Sequence, residues 1–124
     1  MTAHFNHTII AAVDPTELAA FYRDLLEADE LPSWGPFVNI GIGGGVMLQF
    51  ATPPMEFPPQ HYAYLLDDDH FDRAYAKITG PNREHWADPH RTQPGEFNKG
   101  HGGRGVYLLD PSGHLLELIT RPYL

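Results

Sequence analysis

The chain contains no cysteine, which removes thiolate nucleophiles, sulfur-ligated zinc and disulfides from consideration. Basic residues are scarce: eight Lys plus Arg face sixteen Asp plus Glu, for a formal charge of −8. Such a surface disfavours a nucleic-acid backbone or an anionic membrane as partner. No apolar run approaches the roughly 20 residues of a membrane span. The opening MTAHFNHTII has no basic region ahead of its apolar run and no small-residue cleavage signal. The expectation is a cytoplasmic protein that binds a small molecule, with no nucleic acid and no membrane.

What is present fits a globular domain, with 42% hydrophobic and 19% charged residues over 124 positions. A chain of this size buries roughly two-thirds of its unfolded surface. It needs no structural metal to stand, so any metal it holds serves function.

An internal repeat organises the pattern. HFNHTIIAAV reads as a strand, Asp14-Pro15 as a helix N-cap followed by proline at the first helical position. Leu18, Phe21, Tyr22, Leu25 and Leu26 then recur at helical spacing. GPFVNIGIGGGVMLQFAT reads as two strands joined by a glycine hairpin. The segment PPMEFPPQ cannot enter a sheet interior, because proline fixes φ and lacks an N–H, and it marks a connector. Beyond it the order returns: HYAYLLDD as strand, Asp69 to Ile78 as helix, the loop WADPHRTQPGEFNKGHGG, and GRGVYLLDPSGHLLELIT as hairpin. Phe71, Tyr75 and Ile78 lie 53 places after Leu18, Tyr22 and Leu25, and His61 lies 54 places after His7. The expected organisation is one domain of two modules, residues 1–52 and 61–124, joined by a connector over 53–60.

Overlaying the hairpin ends, VMLQFAT on HLLELIT, sets Gln49 opposite Glu117. A pseudo-twofold between the modules brings equivalent positions together, so His7, His61, Gln49 and Glu117 are candidates for a single site. Glu117 sits in LLELI, where an unpaired carboxylate costs several kcal/mol or shifts its pKa. Two imidazoles and a carboxylate form a facial set that leaves positions open on a divalent ion, as catalytic sites do. Gln49 supplies a neutral oxygen, as weak fourth ligand or hydrogen-bond partner. The alternative pairs Glu117 with Arg104 or Arg121, caps both histidines with main-chain groups and leaves Gln49 facing solvent.

GIGGGVM and KGHGGRGV lack the strand, GxxxxGK and helix context of a phosphate loop, so both read as hairpin turns. His101, Lys99 and Arg104 flank the second run, either as a lid over a ligand or as a solvated loop. Trp34, Phe37, Met55, Phe57 and Trp86 either wall an apolar pocket or belong to the core.

The strands HFNHTII and HYAYLL, the helix ELAAFYRDLLE and above all GVYLLDPSGHLLELI resemble the vicinal oxygen chelate superfamily, which includes glyoxalase I, fosfomycin resistance enzymes, bleomycin-binding proteins and extradiol dioxygenases. The resemblance implies an α+β fold of two βαβββ modules, whose curved mixed sheet encloses a metal-binding cavity. It also implies a homodimer whose sites draw on both chains. It assigns His7, His61 and Glu117 as ligands of one divalent ion per site, Fe, Mn, Ni or Zn. Gln49 falls where glyoxalase I carries a glutamate that acts as ligand and base, and an amide cannot abstract a proton at neutral pH. No basic cluster matches the phosphonate site of fosfomycin enzymes. Extradiol dioxygenases add a second-sphere histidine or tyrosine, for which His101, Tyr62, Tyr64 and Tyr107 are available. The expected catalytic residues are therefore Gln49, His101 and Tyr107, with Trp34, Phe37, Tyr62 and Arg104 on the substrate. The expected activity is that of a lyase, isomerase or ring-cleaving dioxygenase. The alternative is a metal-free drug-sequestering protein of the bleomycin-resistance type.

Overall fold

The computed structural model describes residues 2–124. Contacts divide the chain into two units, the first ending at Pro58 and the second running from Pro59 to Leu124. In the first, β1 (His7–Ala11) leads to α1 (Pro15–Leu26). The Asp14 side chain accepts a hydrogen bond from the Glu17 N–H at 3.1 Å, and Pro15 fills the first turn. These are the cap and the pre-set φ that start a helix. The helix stops at Glu27, which turns left-handed at φ 53°.

Three more strands follow: β2 (Asp29–Glu30), β3 (Val38–Ile42) and β4 (Val46–Ala51). They form a sheet in the order β1-β4-β3-β2, with β1 parallel to β4 and the other pairs antiparallel. Alternation separates its faces. Ile10, Leu48, Phe50 and Ile40 are buried with Leu18, Tyr22 and Leu25 of α1, and the Tyr22 and Phe50 rings meet edge-on at 5.0 Å. Each such side chain contributes about 1.5–3 kcal/mol on burial. The other face carries His7, Ile9, Met47, Gln49 and Asn39, as the register requires. Gly44 and Gly45 close the β3–β4 hairpin at φ 77° and 74°, a backbone region that glycine enters without a Cβ penalty.

The second unit repeats the plan with β5 (His61–Leu65), α2 (Asp68–Thr79), β6 (Gly105–Leu109) and β7 (Leu115–Ile119). Asp67 caps α2 by accepting from the His70 N–H at 2.7 Å. The sheet order is β5-β7-β6, again with a parallel pair, β5 with β7. Val106, Leu108, Leu116 and Leu118 form its buried face. In the DPSG turn, Asp110 Oδ1 accepts from the N–H groups of Ser112 and His114. The wholly buried His114 in turn accepts from the Gln60 N–H at 2.9 Å, which ties the start of β5 to β7.

The expected α+β architecture is present, with one difference in strand count. The first unit is βαβββ, but its β2 has two residues; the second has three strands. Where a fourth would pair with β6, Trp86 bridges Tyr107 and Asn98 bridges Gly105, and residues 87–97 loop out between them. That loop contains Pro89, Pro94 and Gly95, which deny it ladder donors and a regular extended path. Among the described residues no helix is long and apolar enough to cross a membrane.

Tyr64 lies in β5 on the opposite face from His61. Burial pushes its hydroxyl well above the ordinary phenol range, with the Tyr62 and Asp110 charges adding to the effect. The unfolded chain releases this proton near pH 10 while the folded chain keeps it, so stability falls as pH climbs beyond about 10. Urea midpoints measured across that range should decline less steeply for Tyr64→Phe than for the wild type; parallel declines would contradict the assignment.

Candidate functional site

Alternation in β7 sends Leu116 and Leu118 to the core and Glu117 to the other face, where its side chain stays 5% exposed. On that face β5 sets Ala63 opposite Glu117 and His61 one pair away, while β6 sets Tyr107 opposite from the other side. Among the described residues three donors meet the carboxylate. Oε1 lies 2.9 Å from Nε2 of His61; an ionised carboxylate only accepts, which makes that nitrogen the donor. Oε2 accepts from the Tyr107 hydroxyl at 3.0 Å and from the Tyr123 hydroxyl. Burial first, then the hydrogen bond to Glu117 and the charges of Glu117 and Asp88, push the Tyr107 hydroxyl up to about 12. At neutral pH it is a phenol that donates, not a base.

Arginine does not neutralise Glu117. Arg104 bonds Asp72 at 2.6 Å and the Asp68 carbonyl at 3.1 Å, with its guanidinium 4.5 Å from the Phe71 ring centre. Arg121 reaches Asp68 at 3.2 Å. Both fasten the hairpin to α2.

The first unit carries the same arrangement in neutral form. Gln49 stands in β4 opposite Ile9 and Asn39, as Glu117 stands in β7 opposite Ala63 and Tyr107. His7 holds the position of His61. Its Nδ1 lies 2.7 Å from Oδ1 of Asn6; an amide oxygen only accepts, so Nδ1 is the donor and Nε2 is left out of that bond. Gln49 is buried rather than solvent-facing, and so is Asn39, whose Nδ2 donates to the Pro32 carbonyl. Oδ1 of Asn39 is a buried acceptor with no partner among the described residues.

A cavity of about 230 Å³ opens beside Tyr107. Asp88, Asn98, His101, Arg104 and Tyr123 share its wall. His101 sits at the turn Gly100–Gly102 with φ 54°, its ring 4.4 Å from that of Tyr123. Hydrogen bonds from Thr92, and less from Gln93, hold the Asp88 carboxyl below its usual value. Of the expected residues, His61, Glu117 and Tyr107 are thus in direct contact, and His101 and Arg104 line the cavity that Tyr107 borders. Trp34 and Phe37 close a turn on each other, Trp34 largely exposed. Tyr62 projects from the opposite face of β5 to His61 and packs on His114 at 5.5 Å.

Asn6, Asn39 and Tyr123 escape the sequence reading. The offset of 68 that overlays Gln49 on Glu117 also overlays Asn39 on Tyr107, so one signal was available. Tyr123 has none, because its place is set by tertiary contacts beyond the last strand.

An imidazole nitrogen and a carboxylate oxygen are donor types that a divalent ion accepts. Two ligands at right angles, each about 2.1 Å from an ion, lie about 3.0 Å apart, which is the spacing of His61 Nε2 and Glu117 Oε1. Among the described residues no group of three or more His, Asp or Glu side chains that could hold a metal is formed. His61 and Glu117 are the part of the expected set that lies within one unit.

No family model and no curated protein matches the chain. Solved structures do. One called Oxidase ChaP-H2 is 44% identical, with a TM-score of 0.94, over 99% of this chain and 97% of that one. Oxidase ChaP-H1 is 43% identical, with a TM-score of 0.92, over 98% of each. A lactoylglutathione lyase from Agrobacterium tumefaciens shares the fold at 19% identity, with a TM-score of 0.71, over 97% of this chain and 94% of that one.

Gly103 directly precedes Arg104 of the cavity wall. A Cβ there would lie 2.6 Å from Thr120 Oγ1 and 2.7 Å from Arg121 Cγ, and that same Oγ1 accepts the Arg104 N–H at 2.8 Å. Gly103→Ala should therefore lower stability by about 1–3 kcal/mol through overpacking. Chemical denaturation checks this, and an unchanged midpoint would contradict the close approach.

Proposed function

The chain belongs to the vicinal oxygen chelate superfamily, and we propose that within it this protein is a metal-dependent enzyme acting on adjacent oxygens of a small organic substrate. The observation that carries the reading is the His61–Glu117 pair, a buried carboxylate with one oxygen turned to an imidazole nitrogen. His61 Nε2, once the incoming ion has displaced the proton it shares with Glu117, and Glu117 Oε1, with His7 Nε2, are the proposed ligands of one divalent ion, Fe, Mn, Ni or Zn. When bound, such an ion supplies Lewis-acid stabilisation of an enolate or oxyanion. Among lyase, isomerase and ring-cleaving dioxygenase chemistry, the shared name of the relatives at 44% and 43% identity favours oxidation.

The remaining roles follow from the residues. Tyr107 keeps its phenolic proton and orients Glu117 through Oε2. His101, in the cavity wall, is the imidazole available to exchange a proton with substrate through a ring nitrogen. Gln49 offers an amide oxygen or N–H, and orients rather than abstracts. Trp34 and Phe37 supply apolar contact to substrate. Arg104, its charge already engaged by Asp68 and Asp72, shapes the cavity more than it attracts an anion. Tyr62, on the other face of its strand, is left out of the substrate contacts. A second copy of the chain is the proposed partner, in a homodimer.

Protein prepared without chelator and reconstituted anaerobically with each candidate metal should bind about one ion per chain. His61→Ala and Glu117→Ala should each lose most of it, and the iron form should consume oxygen with catechol-like diols. No bound metal under any condition, together with a ligand held unchanged and insensitive to chelator, would replace this reading with a sequestering protein.

A further inference from the structure

The two oxygens of Glu117 are treated differently. Among the described residues Oε1 meets a single group, Nε2 of His61, at 2.9 Å. Oε2 meets two phenols, Tyr107 at 3.0 Å and Tyr123. Tyr107 reaches it across the β6–β7 ladder, where it is the direct partner of Glu117. Tyr123 comes from outside the sheet. It follows Pro122 beyond the end of β7, in a segment tied back by Arg121, which bonds Asp68 of α2 and the Thr120 carbonyl. Its ring rests on His101 at 4.4 Å. Half of Tyr123 is exposed, yet its hydroxyl is directed inward, to an oxygen that already has a donor.

We propose that Tyr123 is a positioning residue: with Tyr107 it commits Oε2 to phenolic hydrogen bonds, leaves Oε1 alone to face His61, and so makes Glu117 a one-oxygen metal ligand. This deepens the preceding reading, since it rests on His61 and Glu117 as ligands. A carboxylate free to turn can bind through both oxygens and take two coordination positions. With Oε2 occupied, Glu117 takes one. Three protein ligands then leave three positions on a six-coordinate ion rather than two, enough for two adjacent substrate oxygens and one further small ligand. Hydrogen bonds of this kind orient ligands and tune the metal, and their loss typically weakens metal binding by about 10–100-fold.

The test compares wild type with Tyr123→Phe, Tyr107→Phe, Glu117→Ala and the control Tyr64→Phe, each loaded anaerobically with Co(II). Affinity is read by chelator competition, coordination by the visible absorption of the bound ion. Tyr123→Phe removes one oxygen from a half-exposed side chain outside the sheet, and circular dichroism and the thermal midpoint verify that the fold is retained. The expected result is a loss of affinity of about 10–100-fold for Tyr123→Phe with a changed Co(II) spectrum, and wild-type behaviour for Tyr64→Phe. Wild-type affinity and spectrum in Tyr123→Phe, while Glu117→Ala loses the ion, would overturn the role of Tyr123 and leave the metal reading standing. Failure of the wild type to bind Co(II) would overturn both.

Discussion

Burying a carboxylate in the middle of an apolar strand is the constraint around which the second unit is arranged. Glu117 cannot leave its position without turning Leu116 and Leu118 out of the core, because a strand alternates its faces. An ionised group so placed is costly until several donors meet it, and stripping a partner from a buried ion typically costs about 3–5 kcal/mol. Its surroundings follow from that requirement. The β5–β7 register sets His61 one pair away, β6 brings Tyr107 to its side, and the segment after β7 returns to place Tyr123. The arginines that a simple ion-pair solution would have used bond Asp68 and Asp72 instead, so among the described residues the imidazole is the one basic group at the carboxylate.

The first unit shows the same scaffold without that constraint. Gln49 and Asn39 replace Glu117 and Tyr107 at matching register positions, and amides need no counter-charge. The histidine is kept, but its orientation now comes from the neighbouring Asn6 side chain instead of a carboxylate across the sheet. Duplication of one βα-hairpin plan has thus yielded one charged and one neutral face.

Local signals carried most of the fold. The Asp14-Pro15 cap, the three-and-four spacing of α1, the glycine hairpin after β3 and the DPSG turn each encode their structure within a few residues, so they are legible one at a time. The repeat then follows by overlay. The segment between α2 and β6 resists such reading, because Trp86 and Asn98 join β6 through isolated bridges and the residues between them have no alternation. At the site, Glu117 was visible as a polar residue in an apolar run. The overlay set His61 beside it, but its two phenolic donors were not legible: Tyr107 depends on the β6–β7 register, and Tyr123 on the segment after β7, where Arg121 bonds α2 and His101 packs on the Tyr123 ring. Arg104 read as a partner of Glu117, as a lid or solvated-loop residue or as a substrate contact, and only the folded chain shows it bound to α2.

X-ray absorption fine structure of the iron-loaded protein bears most directly on the central claim, that His61 and Glu117 hold an ion with Glu117 acting through one oxygen. The account predicts imidazole scattering together with a single carboxylate oxygen at about 2.1 Å, the usual distance for such ligands. A spectrum lacking imidazole scattering, or one requiring a two-oxygen carboxylate, would contradict it.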